Sequence, residues 1–159
     1  MVDLSRLSAS WVEWASISGL TGVSAATDCD DCRIVFGSND FDFHLRTEDN
    51  WWVVDTVDER GHRRNADLRS STFELAEKYL IWQWITAARS SLASGPLGRD
   101  LYRRGYAHGV EVTDVNGTHA RLCLQDACAI LILGTATIFS HIMLMSVGEI
   151  ERIGRQGMA

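Results

Sequence analysis

An α+β domain with a mostly antiparallel sheet is the fold class this sequence predicts, and three observations predict it. Short β-compatible runs follow one another with turn composition between them in the first sixty residues. A second strand-rich stretch fills the last third. One long amphipathic run, "SSTFELAEKYLIWQWITAARSSL", separates the two. Runs of strands that alternate with single helices fold into segregated layers, not into a doubly wound parallel sheet. The expected architecture is two meanders packed with one long central helix and short terminal helices. The 159 residues, 46% of them hydrophobic and 23% charged, suit a single domain over residues 1–159 that buries a real core.

The first element is "SASWVEWASISG" at 8–19. Ser8 or Ser10 can cap it, Gly19 can end it, and Trp11, Trp14, Ala15 and Ser18 share one face at helical spacing. Three strands are expected next. "RIVFG" at 33–37 is the first. "FDFHLR" at 41–46 alternates, with Phe41, Phe43 and Leu45 on one face and Asp42, His44 and Arg46 on the other, solvated one. "WWVVDTV" at 51–57 is the third. "GSND" and "TEDN" supply the turns. In the central helix, read over 70–92, Ser71 and Glu74 stand at capping-box spacing, and Glu74 and Lys78 form an i,i+4 pair in the favourable order. Phe73, Ala76, Leu80, Trp84 and Ala87 trace an apolar stripe, with Ile81, Trp82 and Ile85 beside it, so the helix is covered on more than one side. "SGP" at 94–96 stops it, and "LGRDLYRRG" at 97–105 adds a basic helical turn.

Asn116 and Gly117 mark a hairpin. "CAILILG" and "ATIFSHIMLM" are apolar throughout and read as two central strands joined at "GTAT". The polar residues Thr135, Thr137, Ser140 and His141 in residues 127–145 argue against a membrane span there. "SVGEIERIG" at 146–154 closes the chain as a helix, with Ser146 and Glu149 again at capping spacing.

The formal net charge of −6 argues against nucleic acid as the main partner. Its distribution is uneven. Residues 1–60 sum to −8, residues 61–110 to +4 and residues 111–159 to −2. Such polarisation steers a charged partner. No secretory signal opens the chain, since Asp3 and Glu13 interrupt its start, and a cytoplasmic location is expected.

Four cysteines invite a metal or thiol reading: Cys29 and Cys32 as C-x-x-C, Cys123 and Cys128 as C-x4-C. Together they have the ligand number for tetrahedral zinc. A redox pair of the thioredoxin kind wants a helix after its first cysteine; here a strand follows, and Asp28, Asp30 and Asp31 disfavour a thiolate. The simpler reading is two free buried cysteines and an incidental exposed pair, with no metal and no cofactor. Among the five histidines none stands at metal spacing, and His141 in its apolar run reads as a hydrogen-bonded core residue. The sequence lacks G-x-S-x-G, a phosphate loop and H-E-x-x-H, so the chain is not expected to be an enzyme.

Aromatic and arginine residues carry interface energy. Six tryptophans are present; Trp51 and Trp52, adjacent on a strand, must point to opposite faces. "RDLYRRGY" at 99–106 joins arginine and tyrosine in one connection. The candidate partner-binding residues are Asp28, Asp30, Asp31, Trp52, Arg99, Tyr102, Arg103 and Arg104.

"WVEWASISG" at 11–19 and "STFELAEKYLIWQW" at 71–84 resemble the immunity proteins of actinobacterial polymorphic-toxin systems. More narrowly, they are similar to the family that includes the immunity factor for the tuberculosis necrotizing toxin. The first carries an aromatic-x-Glu-Trp-Ala pattern, the second Leu-Ala-Glu-Lys-Tyr-Leu; together they cover 23 of 159 residues. The resemblance implies a cytosolic antitoxin without enzymatic activity that binds a secreted toxin's catalytic domain in a 1:1 complex and blocks its active site. For the necrotizing toxin that activity is NAD+ hydrolysis. The alternatives are a general intracellular protein-interaction domain or a zinc or thiol protein using the four cysteines.

Overall fold

The residues read as two separate meanders pair into one sheet. A computed structural model describes residues 2–89 and 96–156. The first meander is β1 (Ser24–Ala26), β2 (Ile34–Gly37), β3 (Asp42–Glu48), β4 (Trp51–Val57) and β5 (Arg63–Ser70). The second is β6 (Glu111–Val115), β7 (His119–Leu124) and β8 (Ala127–Ile132). Strand β8 pairs with β5 through Arg69 with Ile130 and Ser70 with Ala129, giving the order β1-β2-β3-β4-β5-β8-β7-β6, antiparallel throughout. Five helices accompany it among the described residues: α1 (Ser5–Ile17), α2 (Phe73–Ala88), α3 (Pro96–Arg103), α4 (Leu133–Ile142) and α5 (Val147–Gln156). The α+β class with antiparallel sheet is as expected; α2 is the longest helix but shares its layer with α4, where a strand was expected.

Local chemistry explains the ends. Helix α1 closes on Gly19 at φ +76°, with the Gly19 N–H donating to Ser16 and the Leu20 N–H to Ala15, the double bond pattern of a glycine-terminated helix. Its start lies further upstream than Ser8; Asp3 accepts from the Ser5 N–H at 2.9 Å. Helix α2 is capped by Thr72, whose hydroxyl accepts from the Leu75 N–H, and not by Ser71. The Ser71 hydroxyl instead accepts from the Cys128 N–H at 2.8 Å, stitching the helix entry to β8. The Lys78–Glu74 pair forms at 3.1 Å. Ser94 and Gly95 of the expected stop lie outside the described residues. At α5 the Ser146 hydroxyl accepts from the Glu149 N–H at 3.1 Å, completing the predicted cap.

Two expectations are corrected. "ATIFSHIMLM" is helical, not a strand. Ala136, Phe139, Ser140 and Ile142 are its buried residues, spaced for one helical face. A short apolar run has no period that separates strand from helix, and "GTAT" is the first turn of α4, not a hairpin. Strand β5, "RRNADLRS", goes unread in the sequence because it carries no clean alternation. A register shift between Val54 and Thr56 and a left-handed Ala66 at φ +55° break its period. The three-residue β1 is likewise too short to register in the sequence.

The helices and one sheet face share a single core. Leu45, Val54 and Leu68 from the sheet join Leu80, Ile81, Trp84 and Ile85 from α2, with Trp11 from α1 and Phe139 from α4. Helix α2 is buried almost all round because α1, α5, α4 and the sheet all touch it. Helix α5 approaches through Gly154, where an added Cβ would stand 2.8 Å from the Trp14 ring and 3.0 Å from Ile85. Gly154→Ala is therefore expected to cost about 1–3 kcal/mol by overpacking. A guanidinium unfolding midpoint unchanged from wild type would refute that close packing. Among the described residues no single helix is long and apolar enough to cross a membrane.

Candidate partner-binding surface

The other sheet face is built by the odd partners of the same alternation. Val53, between core residues, is fully buried yet is not part of the core cluster. It pairs with Arg46 on one side and Arg69 on the other, so it lies beneath a charged layer. That layer centres on Asp55, whose side chain is fully buried. Its carboxylate accepts from Arg46 Nε, Arg63 Nη2 and the Ala66 N–H, each at 2.7 Å. The left-handed turn at Ala66 that broke the period of β5 is what aims this N–H at Asp55. Arg46 also donates to Glu48 at 2.6 Å, Arg69 reaches Glu48 at 3.5 Å, and Arg63 reaches Asp31 at 3.2 Å. Six charges thus alternate from Asp31 to Arg69 across β3, β4, β5 and the β1–β2 loop. Burial pushes the Asp55 carboxyl up, but hydrogen bonds from Arg46, Ala66 and Arg63 outweigh it and hold the group below the ordinary carboxylate value. Arg46 lowers Glu48 in the same way.

Trp51 lies at one end of this layer, with the Arg121 guanidinium 5.7 Å from its ring centre. Trp52, as adjacency requires, faces the helix side. It packs edge-on against Phe73 at 5.3 Å, and Arg33 lies 5.8 Å from its ring.

The predicted site residues divide between two places. Asp28, Asp30 and Asp31 are exposed in the β1–β2 loop, and Asp31 is held by Arg63 beside the charged layer. Arg99, Tyr102, Arg103 and Arg104 are exposed on α3 or just after it; Arg104 pairs with Asp100 at 2.6 Å, and Leu101 anchors the helix. Helix α3 packs on α4, which lies over β7 and β8. Strands β2 and β8 are four positions apart in the sheet, roughly 20 Å at the usual strand spacing. The acidic loop and the basic helix are thus two patches, not one. In the helix layer, beside α3, a groove of about 400 Å³ is lined by Tyr79, Trp82, Tyr102, Ile138 and Phe139. Burial pushes the Tyr79 phenol far up, so it stays protonated.

The same separation dismantles a four-cysteine zinc site. Cys29 joins Cys32 within the acidic loop, and Cys123 joins Cys128 across β7 and β8; both pairs are disulfides. Cys123 and Cys128 are direct cross-strand partners, so the reading of two free buried cysteines is also corrected. His44 is half-buried, not solvated. Its Nδ1 is buried with no hydrogen-bond partner, and burial followed by the Arg63 charge lowers its pKa. His141 is hydrogen-bonded as expected, its Nε2 lying 2.7 Å from the Gly105 carbonyl oxygen, but it is half-buried and not a core residue.

The sequence reading missed Arg46, Glu48, Trp51, Asp55, Arg63 and Arg69. One signal was available: Asp55 is the lone acid in the apolar strand "WWVVDTV", and a buried carboxylate there demands cationic neighbours.

Comparison with known proteins places this architecture. No curated protein matches the chain. A solved structure, "Rv3902c from M. tuberculosis", shares the fold with a TM-score of 0.66 at 16% identity, covering 91% of this chain and 86% of that one. The family model for immunity protein 61 matches residues 14–153, from within α1 to within α5. The chain with the bipolar sheet and helical cover described above therefore belongs to the immunity protein 61 family.

Proposed function

We propose that this protein is an antitoxin that binds the catalytic domain of a secreted toxin one-to-one in the cytoplasm of the producing cell and blocks its active site. The observation that carries this reading is the immunity-protein match across nearly the whole domain. The resemblance of "WVEWASISG" and "STFELAEKYLIWQW" to the family of the necrotizing-toxin immunity factor supports an NAD+ glycohydrolase as the target.

The contact surface proposed is the acidic β1–β2 loop. Asp28, Asp30 and Asp31 project from a loop that the Arg63–Asp31 ion pair ties to the sheet, so less ordering is left to do on binding. Fixed carboxylates suit a groove that holds phosphates, and they steer encounter with a basic partner. Trp52, with Arg33 over its ring at the exit of this loop, would extend the contact, and the α3 residues Arg99, Tyr102, Arg103 and Arg104 would form a separate, subsidiary one.

Co-expression with the candidate NAD+-hydrolysing domain, then co-purification and an NAD+ hydrolysis assay, tests the function. A stoichiometric complex with hydrolysis abolished is the expected result. Full activity with no complex rejects this toxin as the partner. Charge reversal at Asp28, Asp30 and Asp31 together is expected to slow association about ten- to a hundredfold and to flatten its salt dependence. Unaltered association at low and high salt would remove the loop from the interface.

A further inference from the structure

The acidic loop holds more than charge. Asp31, Cys32 and His44 each place a ligand atom within 4.8 Å of the other two. The Cys29 sulfur lies outside that group of three and is bonded to the Cys32 sulfur within it. The loop and β3 bring them together: His44 pairs with Val35 across β2 and β3, next to the chain that leaves the loop at Arg33. A disulfide uses only the two sulfurs. It gives no role to the imidazole, whose Nδ1 is sealed from solvent with nothing to bond to. An imidazole with an orphaned buried nitrogen, its ring beside one cysteine sulfur and a carboxylate, is an arrangement a metal ion satisfies once the second sulfur is freed to join it.

We propose that Cys29, Cys32, His44 and Asp31 form a reversible zinc site, populated when the Cys29–Cys32 disulfide is reduced. A dithiol reductant supplies two electrons and two protons, becomes a disulfide itself, and leaves two thiols in the loop. Zinc displaces their two protons and takes two thiolates, one neutral imidazole and one carboxylate. Zinc bonds of about 2.0–2.3 Å place tetrahedral ligands about 3.5 Å apart, within reach of side-chain rotation from the observed cluster. Two soft sulfurs with nitrogen and oxygen favour zinc over magnesium or calcium. The C-x-x-C spacing in a loop is that of a zinc knuckle, and no helix follows it to make a redox pair. This ligand set draws on neither Cys123 nor Cys128; it shares Asp31 with the proposed toxin contact, but its test reads metal binding by the free chain and does not need the toxin.

The experiment is a cobalt(II) titration of the full chain after phosphine reduction and chelator treatment, followed by displacement with zinc. The expected result is one cobalt per chain with a thiolate-to-metal charge-transfer band, lost on adding zinc. Cys32→Ser is expected to abolish the band, and His44→Ala to weaken binding by roughly tenfold or more. Cys123→Ser is expected to leave it intact. The oxidised wild type, identical in sequence, is expected to show no band, which keeps the test sound if a cysteine variant misfolds. Absence of the band in the reduced chain, its survival in Cys32→Ser, or a His44→Ala titration that matches wild type would each overturn the site.

Discussion

Asp55→Ala is expected to destabilise the domain by about 3–5 kcal/mol, the cost of leaving buried charge uncompensated. The substitution strips Arg46 and Arg63 of their shared acceptor and orphans the Ala66 N–H. Asp55 is fully buried, so solvent does not screen the loss. Because the folded carboxyl is held below its ordinary value, its stabilisation is fully present above about pH 4 and is lost as the pH falls through the folded value. The gap between wild type and variant should therefore be full at neutral pH and narrow in acid. Guanidinium unfolding midpoints at neutral pH and near pH 3 measure both points. A gap that is constant with pH would show that the carboxylate acts through packing alone. A double-mutant cycle with Arg63→Ala should return a coupling on the order of 1–3 kcal/mol, since the two share one network.

Trp84→Ala is the other large effect, also about 3–5 kcal/mol. Trp84 sits where the sheet, α1 and α2 meet, with ring centres 5.0 Å from Phe36, 5.2 Å from Trp11 and 6.1 Å from Phe43. It is 1% exposed, and no single neighbour can collapse into the space it fills. Its Nε1 is buried without a partner. Trp84→Phe keeps a ring in the cluster and removes that unpaired donor, so it should cost less than half as much as alanine. Urea unfolding followed by far-ultraviolet circular dichroism compares the three proteins. Equal losses for alanine and phenylalanine would mean the indole N–H has a partner after all. Against a total stability of 5–15 kcal/mol typical of such domains, alanine here threatens folding itself.

Both predictions fall on residues whose type was legible and whose role was not. Trp84 was placed on the apolar stripe of α2 by spacing alone, but the aromatic cluster around it comes from α1, β2 and β3. Asp55 was an anomaly in an apolar strand, but Arg63, which answers it, lies on β5, a strand the sequence hides behind a bulge. The caps at Gly19, Thr72 and Ser146 show the same gradient. Gly19 and Ser146 were readable because each acts within its own turn. Ser71 looked like the cap of α2 and is claimed instead by Cys128, 57 residues away.

What the sequence by itself determined is what depends on neighbours within a few residues. The helices around Trp11, Trp84 and Ile150, the alternation of β3, the Asn116 and Gly117 hairpin, the opposed Trp51 and Trp52, and the acidic start against a basic middle all follow from local period, turn chemistry and charge. Two helical stretches also held the family resemblance. Only the tertiary structure decided which apolar run was α4 and which was β8, because an unpatterned apolar segment takes its form from what covers it. It alone fused the two meanders through Arg69 and Ser70, divided the cysteines into two distant disulfides, and set Asp31 beside Arg63 and His44 beside Cys32. Apart from the two disulfides, which are local, those pairings join residues 12 to 61 positions apart, and a distance of that kind is set by sheet order, which no local pattern encodes.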